Sequence, residues 1–111
     1  MLKRERPERV ARRIAKTLVM SYRPERVILF GSRSEGTARH DSDIDLLIIK
    51  KTAQPFYQRL ADVRRLVSEE RRGYAFEPIV LTPTEVRKRL AMGDQFLQQI
   101  IDRGHVLYAG K

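Results

Sequence analysis

Residues 31–46 read GSRSEGTARHDSDIDL, and this stretch connects two short apolar segments. It opens with Gly31 and Ser32. A glycine there lets backbone N–H groups approach a phosphate closely, and the serine hydroxyl is a further donor. The stretch ends in Asp43 and Asp45. Because side chains alternate between the two faces of a strand, we expect both carboxylates on one face and the apolar residues beside them on the other.

Two carboxylates in this arrangement need a counter-charge. At about 4 Å and an effective dielectric constant near 20, Asp43 and Asp45 would repel each other by roughly 4 kcal/mol. A divalent cation removes that repulsion. Oxygen ligands without sulfur or imidazole favour Mg²⁺ or Mn²⁺, which complete their shells with water and substrate phosphates. The stretch therefore predicts a site for a metal ion and a phosphate-bearing ligand.

Two other motifs share part of this pattern and fail on specific residues. A P-loop has the same glycine spacing, but it requires Lys followed by Ser or Thr where this chain has Thr37-Ala38. A calcium loop has the same alternating acids from Asp41 onward. Its sixth position must be Gly and its twelfth Glu, and here they are Leu46 and Thr52.

Apolar periodicity outside this stretch predicts strands interleaved with helices. Thr82-Pro83-Thr84-Glu85 is typical of a helix start, with Thr82 as N-cap and Glu85 placed for a capping box. Interleaved strands and helices predict an α/β or α+β domain in which helices flank a small mixed sheet. The expected helices are 8–22, 55–72 (closed by Gly73), 83–92 and 95–103, and the expected strands are 27–30, 44–49, 75–81 and 105–108.

Helical spacing assigns a further group of apolar residues to the core. They are Phe56, Leu60, Val63, Val67, Phe96, Leu97, Ile100 and Ile101.

Length and composition limit the other possibilities. The chain has 111 residues, which predicts a single domain over 1–111, and a formal net charge of +9. The absence of cysteine excludes disulfides, thiolate zinc sites and a cysteine nucleophile. His40 and His105 alone are a poor set of metal ligands. No apolar leader or membrane-length apolar run is present, and we expect a cytoplasmic protein with no membrane attachment.

The positive charge is concentrated at the N-terminus, in a predicted basic helix. Such a helix could bind nucleic acid, bind an acidic protein partner, or simply face solvent. The four tyrosines are too scattered to suggest a base-stacking surface. Nucleic-acid binding is therefore not supported beyond charge.

The Gly-Ser pair followed by Asp-x-Asp resembles the signature of the DNA polymerase β-like nucleotidyltransferases, and the length resembles that of the minimal nucleotidyltransferases. The resemblance implies that Gly31 and Ser32 hold a triphosphate and that Asp43 and Asp45 bind two metal ions. It also implies a third carboxylate on a later strand, for which Glu77 is the candidate, although the family more often has Asp there. Pro78 beside it removes a backbone donor and predicts an edge or irregular strand.

The resemblance implies transfer of a nucleoside monophosphate from a nucleoside triphosphate to an acceptor hydroxyl. Asp43, Asp45 and Glu77 would be the catalytic and metal-binding residues, with Mg²⁺ as cofactor and ATP as substrate. Arg33 follows the Gly-Ser pair and is a candidate for neutralising phosphate charge; a solvated loop arginine is the alternative.

Stand-alone chains of this kind resemble the antitoxins of toxin–antitoxin pairs whose partner is a HEPN-type RNase. That resemblance implies transfer of AMP to a tyrosine of the toxin. Two alternatives stay open: a non-catalytic subunit that neutralises or scaffolds its partner by contact, and a nucleotidyltransferase acting on small molecules. A homodimer is also compatible with so small a domain.

Overall fold

Helices and strands alternate along most of the chain, as the periodicity predicts. The computed structural model describes residues 4–31 and 43–110. The predictions for Ser32 and Arg33 lie outside these described residues. The elements in chain order are α1 (Pro7–Ser21), β1 (Arg26–Phe30), β2 (Ile44–Ile49), α2 (Phe56–Leu66), β3 (Phe76–Leu81), α3 (Pro83–Ala91), α4 (Gln95–Arg103) and β4 (His105–Ala109).

The four strands form one mixed sheet in the order β3-β2-β1-β4. Strand β1 is antiparallel to both of its neighbours, and β2 is parallel to β3. The expected α+β domain with a small mixed sheet flanked by helices is confirmed. Strand β3 lies at an edge of the sheet, as Pro78 predicted.

Helices cover both faces of the sheet, so the central strands are buried on both sides. Ile44, Leu46 and Ile48 pack with apolar residues of α1 and α2. Leu47 and Ile49 point the other way and pack with residues of α3 and α4. Since side chains alternate along a strand, Asp45 shares the face of Leu47. The predicted separation from Ile44 and Leu46 is therefore confirmed for Asp45, whereas Asp43 lies before the strand and its place on the same face stays a prediction.

Helix α2 is shorter than predicted. The sequence indicated a helix from residue 55 to 72, but α2 ends at Leu66 and a run of turns continues to Gly73. Val67 is the last apolar residue of the helical pattern and is fully buried. The five residues after it are all polar or charged, so no apolar side chain holds a further turn of helix against the core.

The remaining elements differ from the prediction by no more than one residue at either end. The predicted capping box is present: the Glu85 N–H donates to Thr82 Oγ1 at 3.1 Å, and the Thr82 N–H donates to Glu85 Oε1 at 2.8 Å.

The predicted core list was wrong for two aromatic residues. Phe56 is 45% exposed and Phe96 is 59% exposed, because each lies in the first turn of its helix, before the buried stripe begins. Val63, Val67, Leu97 and Ile100 are buried as predicted. No helix within residues 4–31 and 43–110 is long and apolar enough to cross a membrane.

Candidate active site

Gly31 directly follows β1 and lies against the carboxylate of Asp45. Its φ is +83°, a conformation that side-chain-bearing residues rarely adopt. A Cβ at this position would lie 2.3 Å from Asp45 Oδ2, well inside contact distance. Only glycine therefore lets the chain leave β1 at this point while Asp45 keeps its place. This is the structural requirement behind the first residue of the Gly-Ser pair.

Asp45 lies on β2 between residues of two other strands. It is paired with Phe30 of β1 and with Glu77 of β3. Its side chain is almost fully enclosed, with 6% of the residue exposed. Burial of a carboxylate is costly unless charged or hydrogen-bonding groups compensate for it. A buried acid beside a turn glycine is therefore a candidate for binding a ligand as well as for structure.

Glu77 is the residue directly across from Asp45 on β3, and paired residues of adjacent strands point to the same face of the sheet. Glu77 is exposed, in contrast to its buried neighbour. Pro78 follows it and is paired with Leu46. The structure thus places the candidate third carboxylate on the expected face, at the edge of the sheet and open to solvent.

Asp43 lies just before β2, and its carboxylate is bound by the guanidinium of Arg4. Its backbone N–H donates to the carbonyl of Ala75 at 3.2 Å, which fixes the start of β2 beside β3. The hydrogen bond to Asp43 is the main reason that the pKa of Arg4 is raised above its ordinary value. Arg4 therefore stays cationic and supplies positive charge to one of the two predicted metal ligands.

Arg4 is held in place by further contacts. Its guanidinium lies over the ring of Tyr74, 4.2 Å from the centroid, and donates to the carbonyl of Gly73 at 3.2 Å. The Tyr74 hydroxyl donates to the carbonyl of Glu5. Glu5 in turn forms an ion pair with Arg13 of α1 at 2.5 Å. The segment before α1 is thereby attached to the turn before β3, beside Asp43.

The carboxylate oxygens of Asp43 and Asp45 are donors that suit a hard divalent cation whose other ligands come from the substrate and water. Within the described residues, no three His, Cys, Asp or Glu side chains are grouped closely enough to hold an ion. Asp43 and Asp45 nevertheless offer two carboxylates at the start of one strand, one of them buried. Mg²⁺ in proteins is often bound by one or two carboxylates, with substrate phosphates and water as the other ligands. The chemistry of these donors, carboxylate oxygens without nitrogen or sulfur, matches that mode of binding.

No sequence pattern pointed to Arg4 as a residue of the site, and helical spacing wrongly assigned Phe96 to the core. Arg4 is 39 residues from Asp43 along the chain, and no local sequence pattern predicts a contact between residues so far apart. Phe96 is one residue past the start of α4, where helical spacing alone does not separate a buried from an exposed position. A signal was available in Asp94, the N-cap, because it fixes where the helix begins.

Comparisons with known proteins match this chain to a family and to a solved structure. The family model described as polymerase beta, nucleotidyltransferase matches residues 12–111. The solved structure of a candidate nucleotidyltransferase from Sulfolobus solfataricus superposes with a TM-score of 0.53 at 28% sequence identity. That match covers 79% of this chain and 84% of the other. A search of curated protein sequences finds no significant match.

Proposed function

The chain belongs to the polymerase β nucleotidyltransferase family, and on that premise we propose that it transfers AMP from ATP to a hydroxyl group of a partner protein. The proposed acceptor is a tyrosine of a HEPN-type RNase toxin, which makes this chain the antitoxin of the pair. Asp43, Asp45 and Glu77 are the proposed catalytic and metal-binding residues, with Gly31, Ser32 and Arg33 at the nucleotide.

The contact between Gly31 and the buried Asp45 is the observation that carries this proposal. A structural carboxylate could be buried anywhere along the sheet. This one is buried where β1 ends in a positive-φ glycine, and a second acid, Asp43, precedes it by two residues. The buried acid and the glycine are thus brought together from different strands, which supports binding of a metal-complexed triphosphate.

Asp43 and Asp45 would hold the divalent cation, and Mg²⁺ fits their oxygen donors. When bound, the ion supplies positive charge to the phosphate oxygens and to the departing pyrophosphate. Arg4 contacts Oδ2 of Asp43 and would compete with a metal ion for that oxygen. The buried position of Asp45 strengthens its electrostatic effect, because water screens it less.

The proposed reaction is a displacement at the α-phosphorus of ATP. The acceptor oxygen forms a new P–O bond, the bond to the β-phosphate bridging oxygen breaks, and pyrophosphate leaves with that electron pair. The acceptor hydroxyl loses its proton. We assign that proton to Glu77, which in the described part of the chain is exposed on the same face of the sheet as Asp45.

Exposure of Glu77 also supports an acceptor that is presented by another molecule. In the described part of the chain, β3 pairs with β2 alone and forms one edge of the sheet. A protein side chain delivered by a partner can reach Glu77 from solvent. This favours a partner protein over an acceptor enclosed within the chain.

The test is a transfer assay with the full chain. We would incubate it with Mg²⁺, each α-³²P-labelled nucleoside triphosphate in turn, and the protein that co-purifies with it. We expect label from ATP on the partner, and mass spectrometry should place AMP on a tyrosine. The double variant Asp43→Asn/Asp45→Asn should abolish labelling. A charge-matched control, Glu69→Gln/Asp102→Asn, removes two exposed carboxylates, one in the turns after α2 and one on α4, and should leave labelling intact.

The main alternative is a binding subunit without catalytic activity. It is favoured by the ion pair that Arg4 makes with Asp43 and by the lack of a three-carboxylate cluster in residues 4–31 and 43–110. Equal partner binding by the wild type and the Asp43/Asp45 variant, with no label in either and no nucleotide or metal bound, would establish that alternative and reject the transferase.

A further inference from the structure

A cleft opens beside Gly31, on the side of the sheet that carries Asp45. Its interior is small, about 40 Å³, so a ligand larger than a few waters would lie across its open mouth, against walls that include Phe30, Phe96, Gln99 and Arg103. Phe30 is paired with Asp45 across β1 and β2, so the two side chains are neighbours on one face. The cleft is therefore continuous with the proposed phosphate and metal site through Gly31.

One wall of the cleft is an exposed aromatic ring in a fixed position. Phe96 is 59% exposed. Its ring meets Phe30 edge to face, with centroids 5.9 Å apart and an interplanar angle of 84°. The next residue, Leu97, is buried, and its N–H is capped by Asp94 at 3.0 Å. The start of α4 is thus anchored, and Phe96 offers an exposed apolar surface beside Phe30.

Polar groups follow this ring along the same side of α4. Gln99 and Arg103 come three and seven residues after Phe96, which places all three on one helix face. The end of α4 is pressed against β1: a Cβ on Gly104 would lie 2.5 Å from Ile28 Cγ2 and from the Ile100 carbonyl. An aromatic surface, an amide and a guanidinium are therefore held over one cleft by a rigidly packed helix.

We propose that this cleft binds the nucleoside part of the triphosphate, with the base stacked on Phe96 and Gln99 facing the polar edge of the base. The inference rests on the proposed nucleotide transfer. A triphosphate at Gly31 and Asp45 must extend its nucleoside away from the metal, and the cleft begins at that glycine. An amide can both donate to and accept from a base, and Arg103 adds positive charge near the sugar and phosphates.

The test separates binding of the base from binding of the phosphates. Isothermal titration calorimetry in Mg²⁺ would compare ATP with inorganic tripolyphosphate, which has no base. Phe96→Ala should weaken ATP binding roughly tenfold and leave tripolyphosphate affinity unchanged, because stacking on an aromatic side chain is removed. Phe96→Tyr should restore ATP affinity. Phe56→Ala is the matched control, since Phe56 is also an exposed phenylalanine in the first turn of a helix but packs elsewhere.

Three other results have distinct meanings. If Phe96→Ala binds ATP as tightly as the wild type, the stacking inference is wrong and the proposed transferase stands. If Phe96→Ala loses the partner protein but keeps ATP, the exposed ring is a protein contact, and the inference is again wrong. If the wild type binds neither ATP nor tripolyphosphate, the proposed function fails and the nucleoside cleft fails with it. Circular dichroism would verify that each variant is folded.

Discussion

The carboxylate of Asp43 forms an ion pair with the guanidinium of Arg4. The same carboxylate is a proposed ligand of the divalent cation, so Arg4 and the cation would compete for it. Arg4 is positioned for this contact by Tyr74 and by the carbonyl of Gly73. Its side chain is 53% exposed and that of Asp43 is 19% exposed, so water competes with the ion pair. Exposed pairs contribute little to stability, typically no more than about 1 kcal/mol. Arg4 therefore neutralises Asp43 without holding it tightly.

Removal of the guanidinium should make the site bind metal better. We expect Arg4→Ala to raise Mn²⁺ affinity by about two- to fivefold, the change that loss of a weak competing ion pair allows. Electron paramagnetic resonance of free Mn²⁺ would measure it directly. Arg6→Ala is the matched control, because it removes the same charge two residues away. Equal increases in both variants would reveal a general effect of net charge and contradict a specific role for Arg4.

Among the elements, α2 and α3 lie on opposite faces of the sheet and are joined around the edge strand β3. Arg59 of α2 donates to both carboxylate oxygens of Glu85 of α3, at 2.7 and 3.1 Å. It also donates to the carbonyl of Val80 in β3 at 3.1 Å. Arg59 is buried, and Glu85 belongs to the capping box of α3. This ion pair thus ties both helical layers to the strand that carries Glu77.

The same ion pair should make stability depend on pH in the acid range. The hydrogen bond from Arg59, assisted by the backbone N–H of Thr82, lowers the pKa of Glu85 from 4.5 to about 2. A carboxyl whose pKa is lower in the folded than in the unfolded state stabilises the fold above its unfolded pKa. That contribution should therefore be complete above about pH 5 and lost as pH falls from about 4.5 toward 2.

Glu85→Gln tests this assignment by chemical denaturation. We expect the free energy of unfolding at pH 7 to fall by about 1–2 kcal/mol, less than for a fully buried pair because the Glu85 side chain is 41% exposed. The fall in stability between pH 5 and pH 2.5 should also become smaller. Glu69→Gln breaks an exposed ion pair with Arg72 and should change neither quantity. A pH profile of Glu85→Gln parallel to that of the wild type would show that another group causes the dependence.

Local patterns predicted the elements well and long-range contacts poorly. Strand β2 was predicted to the residue because its six residues are apolar except for Asp45. The start of α3 was predicted because Thr82 and Glu85 form a complete capping box. The end of α2 was missed, since it depends on how Val67 packs in the core. The contact of Arg4 with Asp43 depends on the tertiary fold, which no spacing in the sequence specifies.

The molecule as a whole carries a formal charge of +9 on 111 residues. Much of that charge lies on the solvent side of α1, where Arg9, Arg12, Arg13 and Lys16 are exposed. Like charges at this density repel each other more in the folded state than in the expanded unfolded chain. Salt should therefore stabilise the protein by screening.

Raising NaCl from about 20 to 200 mM should raise Tm by roughly 2–5 °C, since the Debye length shortens to below about 10 Å. Differential scanning calorimetry would measure the shift. The variant Arg12→Glu/Lys16→Glu reduces the net positive charge and should respond less to salt. A Tm that falls with added salt would indicate that exposed ion pairs outweigh the repulsion, contrary to this expectation.

Glu77, which is paired with Asp45, and the next residue, Pro78, also affect whether the protein can self-assemble through its sheet edge. An open sheet edge is a template on which a strand from another molecule can add, and growth of this kind leads to aggregates. Pro78 has no backbone N–H to offer an incoming strand, and Glu77 places an exposed negative charge beside it. A nearly all-apolar β2 lies one strand further in. Glu77 and Pro78 thus oppose fibril-like growth at the edge nearest the most aggregation-prone segment of the chain.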